Sequence, residues 1–126
     1  MKMGRIEKFL VNSRSQSERV SRQAEKKLGY LEVHPGERYL DVGCGNGAAA
    51  QHVARVYGLQ VTGVDVDPEQ IRAAEQAGRG APNVRFLTVD ATRMPFADGA
   101  FDIVATNKVT HHILTRQSRN QTGYRL

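Results

Sequence analysis

The chain has 126 residues, 40% of them hydrophobic, with a net charge of +5, which suits one soluble domain with a modest core. No apolar run approaches the roughly 18 residues of a membrane span, and residues 1–8 lack the apolar stretch of a secretory leader, so no membrane partner and a cytoplasmic location are expected. Cys44 is the only cysteine; no intrachain disulfide can form, no cysteine cluster for a metal exists, and a reducing compartment fits.

Charge is distributed unevenly. Residues 1–29 carry eight Lys/Arg against three Asp/Glu, residues 30–107 six against ten, and residues 108–126 four against none. The acidic middle argues against a nucleic-acid partner, and the basic ends read as solvated faces.

The first expected element is an amphipathic helical cap within residues 1–29. Ile6, Phe9 and Leu10 precede a start signal at Ser15–Glu18, and Val20, Ala24 and Leu28 then recur at four-residue spacing. Gly29 and His34-Pro35-Gly36 break the pattern. A strand is expected near 38–42, ending in Asp41 and opening onto Gly43-Cys44-Gly45-Asn46-Gly47, with a helix over 46–57 closed by Gly58. Glycines at alternate positions between a strand and a helix let backbone approach a ligand closely, at a helix end whose N–H groups are unpaired. Gly43-x-Gly45-x-x-Ala48 also fits a dinucleotide fingerprint. The negative charge of Asp41 suits a cationic sulfonium ligand better than a pyrophosphate.

A second strand over 60–65 ends in Asp65, placed to accept both hydroxyls of a ribose. Asp67-Pro68-Glu69-Gln70 then reads as a helix start, with Asp67 as N-cap and Pro68 in the first helical position; this helix runs over 68–77 to Gly78. A third strand over 84–89 leads to Asp90 and Ala91, where a carboxylate and a backbone N–H could meet an adenine. A fourth strand is expected over 101–106. Alternating strands and helices imply parallel pairing with crossover helices, hence an α/β three-layer sandwich.

Taken together, residues from about 36 to 113 resemble the N-terminal two-thirds of a class I S-adenosylmethionine-dependent methyltransferase. The resemblance rests on Pro35–Gly47, Gly63-Val64-Asp65, Val89-Asp90-Ala91 and Pro95–Val104, followed by Asn107–His112 where that family begins its next helix. It implies a Rossmann-like parallel sheet over residues 30–114. It further implies that S-adenosylmethionine is held by Asp41, Gly43, Cys44, Gly45, Gly47, Asp65, Val66, Asp90, Ala91 and Asn107, and that its methyl passes to a small molecule. No catalytic residue is assigned: His111, His112 and Asn107 are candidates for the acceptor side, and no spacing calls for a metal. Two alternatives stay open at this point, a non-catalytic S-adenosylmethionine-binding module or partner subunit and, behind it, a nicotinamide-dependent oxidoreductase.

The sequence departs from the family after Thr106. Residues 107–114 look like a helix start, whereas 115–126 are polar, carry three arginines and lack apolar periodicity, so they read as a tail. The family's later strands are then missing, and activity could be impaired by truncation. The fourth strand would become an exposed edge, inviting a homodimer through residues 101–106.

Overall fold

A computed structural model of the chain describes residues 14–29, 31–107 and 112–117. Among these residues, three helices and five strands follow in the order α1 (Arg14–Leu28), β1 (Arg38–Val42), α2 (Ala48–Tyr57), β2 (Gln60–Asp65), α3 (Pro68–Ala77), β3 (Val84–Thr88), β4 (Ile103–Asn107) and β5 (His112–Arg116). The expected elements before residue 107 all appear, with ends displaced by up to two residues. Part of the N-terminal pattern, Ile6, Phe9 and Leu10, lies outside the described residues.

The strands form one sheet in the order β3-β2-β1-β4-β5. β1 pairs in parallel with β2 on one side and β4 on the other, and β2 pairs in parallel with β3. The chain thus winds outward from β1 in one direction and returns to its other flank. This reversal at β1/β4 opens a crevice at the carboxyl ends of the strands, where ligands of such sheets bind.

Alternation along the strands divides the core. One sheet face turns Tyr39, Val61, Phe86, Ile103 and Ala105 toward Ala24 and Leu28 of α1, Ala50 and Val53 of α2, and Ile71 and Ala74 of α3. The other turns Leu40, Val42, Val64 and Val104 toward Met94, Phe96, Ala100 and Phe101. The third layer is therefore built from the irregular segment between β3 and β4 rather than from a helix. Phe96 and Phe101 meet edge to face, ring centroids 5.0 Å apart, the arrangement that aromatic quadrupoles favour.

Helix starts and stops follow local chemistry. The Asp67 carboxylate accepts from the Glu69 N–H at 2.9 Å and Pro68 opens α3, as expected of an N-cap. Gly58 closes α2 at φ 68, donating its N–H to the Ala54 carbonyl.

Two C-terminal expectations fail, the open β4 edge and the assignment of Asn107 and residues 112–116. β4 is not an edge, because β5 pairs with it antiparallel from Ile103↔Arg116 to Asn107↔His112. The helix start expected over 107–114 is strand at Asn107 and from His112 to Leu114, and the tail expected from 115 is strand through Arg116. Residues 118–126 lie outside the described residues. A long-range ion pair accompanies this ladder: Arg116 grips the Glu37 carboxylate with two nitrogens, at 2.6 and 3.2 Å, and donates to the Glu32 carbonyl. The guanidinium beside Glu37 holds its carboxyl below the usual range. Beside it the Asp102 carboxylate accepts from the Arg38 backbone and guanidinium. A homodimer through an open β4 edge loses its premise, since the edge groups are already paired.

Candidate functional site

Three loops meet at the carboxyl ends of β1, β2 and β3, and Asp65 ties them together. Its Oδ2 accepts the Gly45 N–H at 2.9 Å, its Oδ1 accepts the Asp67 N–H at 2.9 Å, and its backbone carbonyl accepts the Val89 N–H at 2.9 Å. One residue thus joins the glycine loop, the β2–α3 turn and the segment leading to Asp90. Its side chain is half-buried. A carboxylate offers about four lone-pair sites, so two accepted bonds leave capacity for a ligand's hydroxyls.

The glycine loop is shaped by its backbone. Gly43 and Cys44 both donate to the Val64 carbonyl, at 2.8 and 2.9 Å, and Gly47 donates to the Cys44 carbonyl at 3.0 Å. Gly43, Gly45 and Gly47 all take positive φ, at 78, 56 and 79°, where a Cβ is strained. Gly45 also faces open space, with no atom within 4 Å of where a Cβ would stand. Asn46 accepts from the Ala48 N–H at 3.1 Å and so settles one orphan donor at the start of α2.

Acidic groups set the local field. Asp41, 1% exposed, lies at the end of the central strand, between Gly63 of β2 and Ala105 of β4. Burial first, and then the charges of Asp41 and Asp65, push the Cys44 thiol well above its usual range. Burial and the Asp41 charge act likewise on Tyr39. A thiol held so firmly in its neutral form is no nucleophile. The same negative field favours a cation in the crevice and opposes a pyrophosphate.

Val66 follows Asp65 and is 71% exposed, an apolar surface next to a hydrogen-bonding carboxylate. Beyond β3, Asp90 Oδ1 accepts from both the N–H and the hydroxyl of Thr92, at 2.9 and 2.8 Å, which lowers its pKa. Asp90 and Ala91 are exposed. Asn107 ends β4 opposite His112, the first residue of β5; neither side chain, nor any part of His111, falls within the described residues.

The structure therefore brings together Asp41, Gly43, Cys44, Gly45, Gly47, Asp65 and Val66, with the segment of Asp90 and Ala91 tethered through Val89. Sequence reasoning passed over Asn46 and Thr92, although an Asn or Asp accepting from a residue two positions on is a recognisable turn signal. Among the described residues, no group of three His, Cys, Asp or Glu could hold a metal, and no helix is long and apolar enough to cross a membrane. A groove of about 540 Å³ lined by Arg38, Gln60, Thr62, Arg85 and Phe101 lies toward the opposite ends of the strands and shares no residue with these loops.

Comparison with known proteins places this geometry. Residues 40–125 match the family model described as a methyltransferase domain. The 27-O-demethylrifamycin SV methyltransferase of Amycolatopsis mediterranei is 32% identical over 102 residues, covering 79% of this chain and 38% of that protein. Ajmaline N-methyltransferase of Rauvolfia serpentina is 40% identical over 81 residues, covering 62% of this chain and 28% of its own length. Among solved structures, the YcgJ protein of Bacillus subtilis superposes with a TM-score of 0.62 at 31% identity, over 68% of this chain and 37% of that one. The chain thus spans well under half the length of these relatives. With the family model matched over most of its residues, and with the strand-loop-helix geometry above, the chain belongs to the methyltransferase domain family.

Proposed function

We propose that the chain forms the donor-binding part of an S-adenosylmethionine-dependent methyltransferase whose acceptor is a small molecule, working in the cytoplasm. The observation that carries the reading is the Asp65 junction. It holds the glycine loop by Gly45 and the β2–α3 turn by Asp67, and its remaining acceptor capacity would take the ribose hydroxyls. The residues fit the donor in three further respects. Open space over Gly45 admits a ligand against the backbone, exposed Val66 offers an apolar surface for the adenine, and Asp41 supplies negative charge for the cationic end. Asp90 and Ala91 would meet the adenine amino group and ring, and Asn107 would stand on the acceptor side. The rifamycin- and ajmaline-derived names of the two relatives support a small-molecule acceptor.

Bound there, S-adenosylmethionine supplies an electrophilic methyl on a sulfonium. The chain's own residues bind and orient. Much of the rate in such a displacement comes from holding donor and acceptor in line at about 3 to 3.5 Å, so a dedicated base is not required. Calorimetric titration tests the reading: S-adenosylmethionine and S-adenosylhomocysteine should give saturable heat and NAD none. Tight NAD binding would sink it. Transfer of an isotopically labelled methyl to a panel of small acceptors tests turnover.

A further inference from the structure

We infer that Phe86 is a positioning residue for the donor site, its ring fixing the place where the glycine loop turns into α2. The inference rests on the cofactor reading above. Phe86 stands in the middle of β3, 7% exposed and directly opposite Gly63 of β2. A Cβ on Gly63 would come within 2.7 Å of the ring's Cδ1 and 2.8 Å of Cε1, and within 3.1 Å of the Cys44 Cβ in the loop. A Cβ on Gly47 would come within 2.6 Å of Cζ, 2.8 Å of Cε1 and 2.9 Å of the Ala74 Cβ of α3, and one on Gly78 within 3.2 Å of Cε2. Glycines from the loop, from β2 and from the end of α3 therefore face different edges of one ring. Three missing side chains make a slot that one aromatic side chain fills.

This arrangement divides the labour of the loop glycines. Gly45 looks into open space where a ligand would lie, whereas Gly47 looks into the core and lies against Phe86. Gly47 is also the N-cap of α2, and its N–H closes the loop onto the Cys44 carbonyl. Where the ring stops, the loop is stopped. The rigid ring thereby sets the direction of the first α2 amides and the reach of the Gly45 N–H to Asp65. A smaller, flexible side chain leaves a void into which Gly47 can settle. Phe86 touches no donor atom; it acts through the loop, from beneath.

Two variants test this by opposite routes. Phe86→Leu vacates the slot, and Gly63→Ala crowds it by one carbon from the β2 side. A third, Ile103→Val, trims a fully buried core residue remote from the loop and serves as the control. S-adenosylhomocysteine affinity is measured by calorimetry under conditions where circular dichroism shows each variant folded, and hydrogen exchange is followed at the Gly45, Gly47 and Leu40 amides. Phe86→Leu and Gly63→Ala should each weaken binding by about tenfold and speed exchange at Gly45 and Gly47 beyond the change at Leu40. Ile103→Val should lower stability with affinity within about twofold. If both test variants bind like wild type with unchanged loop exchange, the inference is overturned. If wild type itself binds no S-adenosylhomocysteine, the cofactor reading falls, and loop exchange alone then decides whether Phe86 fixes the loop. Should Phe86→Leu not fold, Phe86→Met carries the same comparison, because Gly63→Ala also presses on Cys44.

Discussion

Replacing Asp65 with alanine removes more than a ligand contact. The carboxylate accepts two backbone N–H groups at 2.9 Å, one from Gly45 and one from Asp67. At a half-buried site, each bond between an N–H and a charged oxygen contributes about 1 to 1.5 kcal/mol, so the pair contributes roughly 2 to 3 kcal/mol. In a domain of this size, roughly 3 to 5 °C of melting temperature accompanies each kcal/mol. Asp65→Ala should therefore melt roughly 6 to 15 °C below wild type. Donor affinity should fall in the same variant by at least about tenfold, because the ribose acceptor and the loop's anchor are lost together. Asp67→Ala provides the contrast: it loses the cap of α3, costs about 1 kcal/mol and leaves affinity near wild type. Differential scanning calorimetry and titration with S-adenosylhomocysteine read both quantities. An Asp65→Ala chain that melts with wild type would refute the anchoring argument, and unchanged affinity in a folded variant would refute the ribose assignment.

The Glu37–Arg116 pair predicts a pH effect of known sign. The Glu37 carboxyl is held below its ordinary value of 4.5, chiefly by its hydrogen bond to Arg116, so its contribution is complete above that value and is lost as pH falls through the lower folded value. Arg116→Met should flatten the pH dependence of urea stability below about pH 4.5, and should cost no more than about 1 kcal/mol at neutral pH, since the pair is partly solvated. Cys44 should resist iodoacetamide at pH 8 in the folded chain and react in urea, because burial and two neighbouring carboxylates keep its thiol protonated; rapid labelling of the native chain would contradict that environment.

The donor side of the site was legible because its signals are local. Alternate glycines after an apolar strand, Asp65 at the end of the next, and Asp67-Pro68 ahead of a helix each declare their conformation within a few residues. The double duty of Asp65 was not legible, since the Gly45 N–H comes from 20 residues earlier in the chain. Phe86 was hidden for the same reason: its slot is assembled from positions 47, 63 and 78, and only the β2–β3 register sets Gly63 opposite the ring. β5 misled the reading most. His112-Ile113-Leu114-Thr115-Arg116 has too little alternation to announce a strand, and its first three residues fall within the segment 107–114 that resembled a helix start. The side-chain contact that accompanies it, Arg116 to Glu37, spans 79 positions, a distance at which no local pattern operates.

The antiparallel return of β5 also decides how the sheet ends. With β4 enclosed, the outer strands among the described residues are β3 and β5, each five residues long and each bearing an exposed arginine, Arg85 and Arg116. Short edges offer an approaching sheet few hydrogen bonds, and at β5 the arginine is already paired with Glu37. Each rim is thus brief, and a further strand laid against either would gain few bonds.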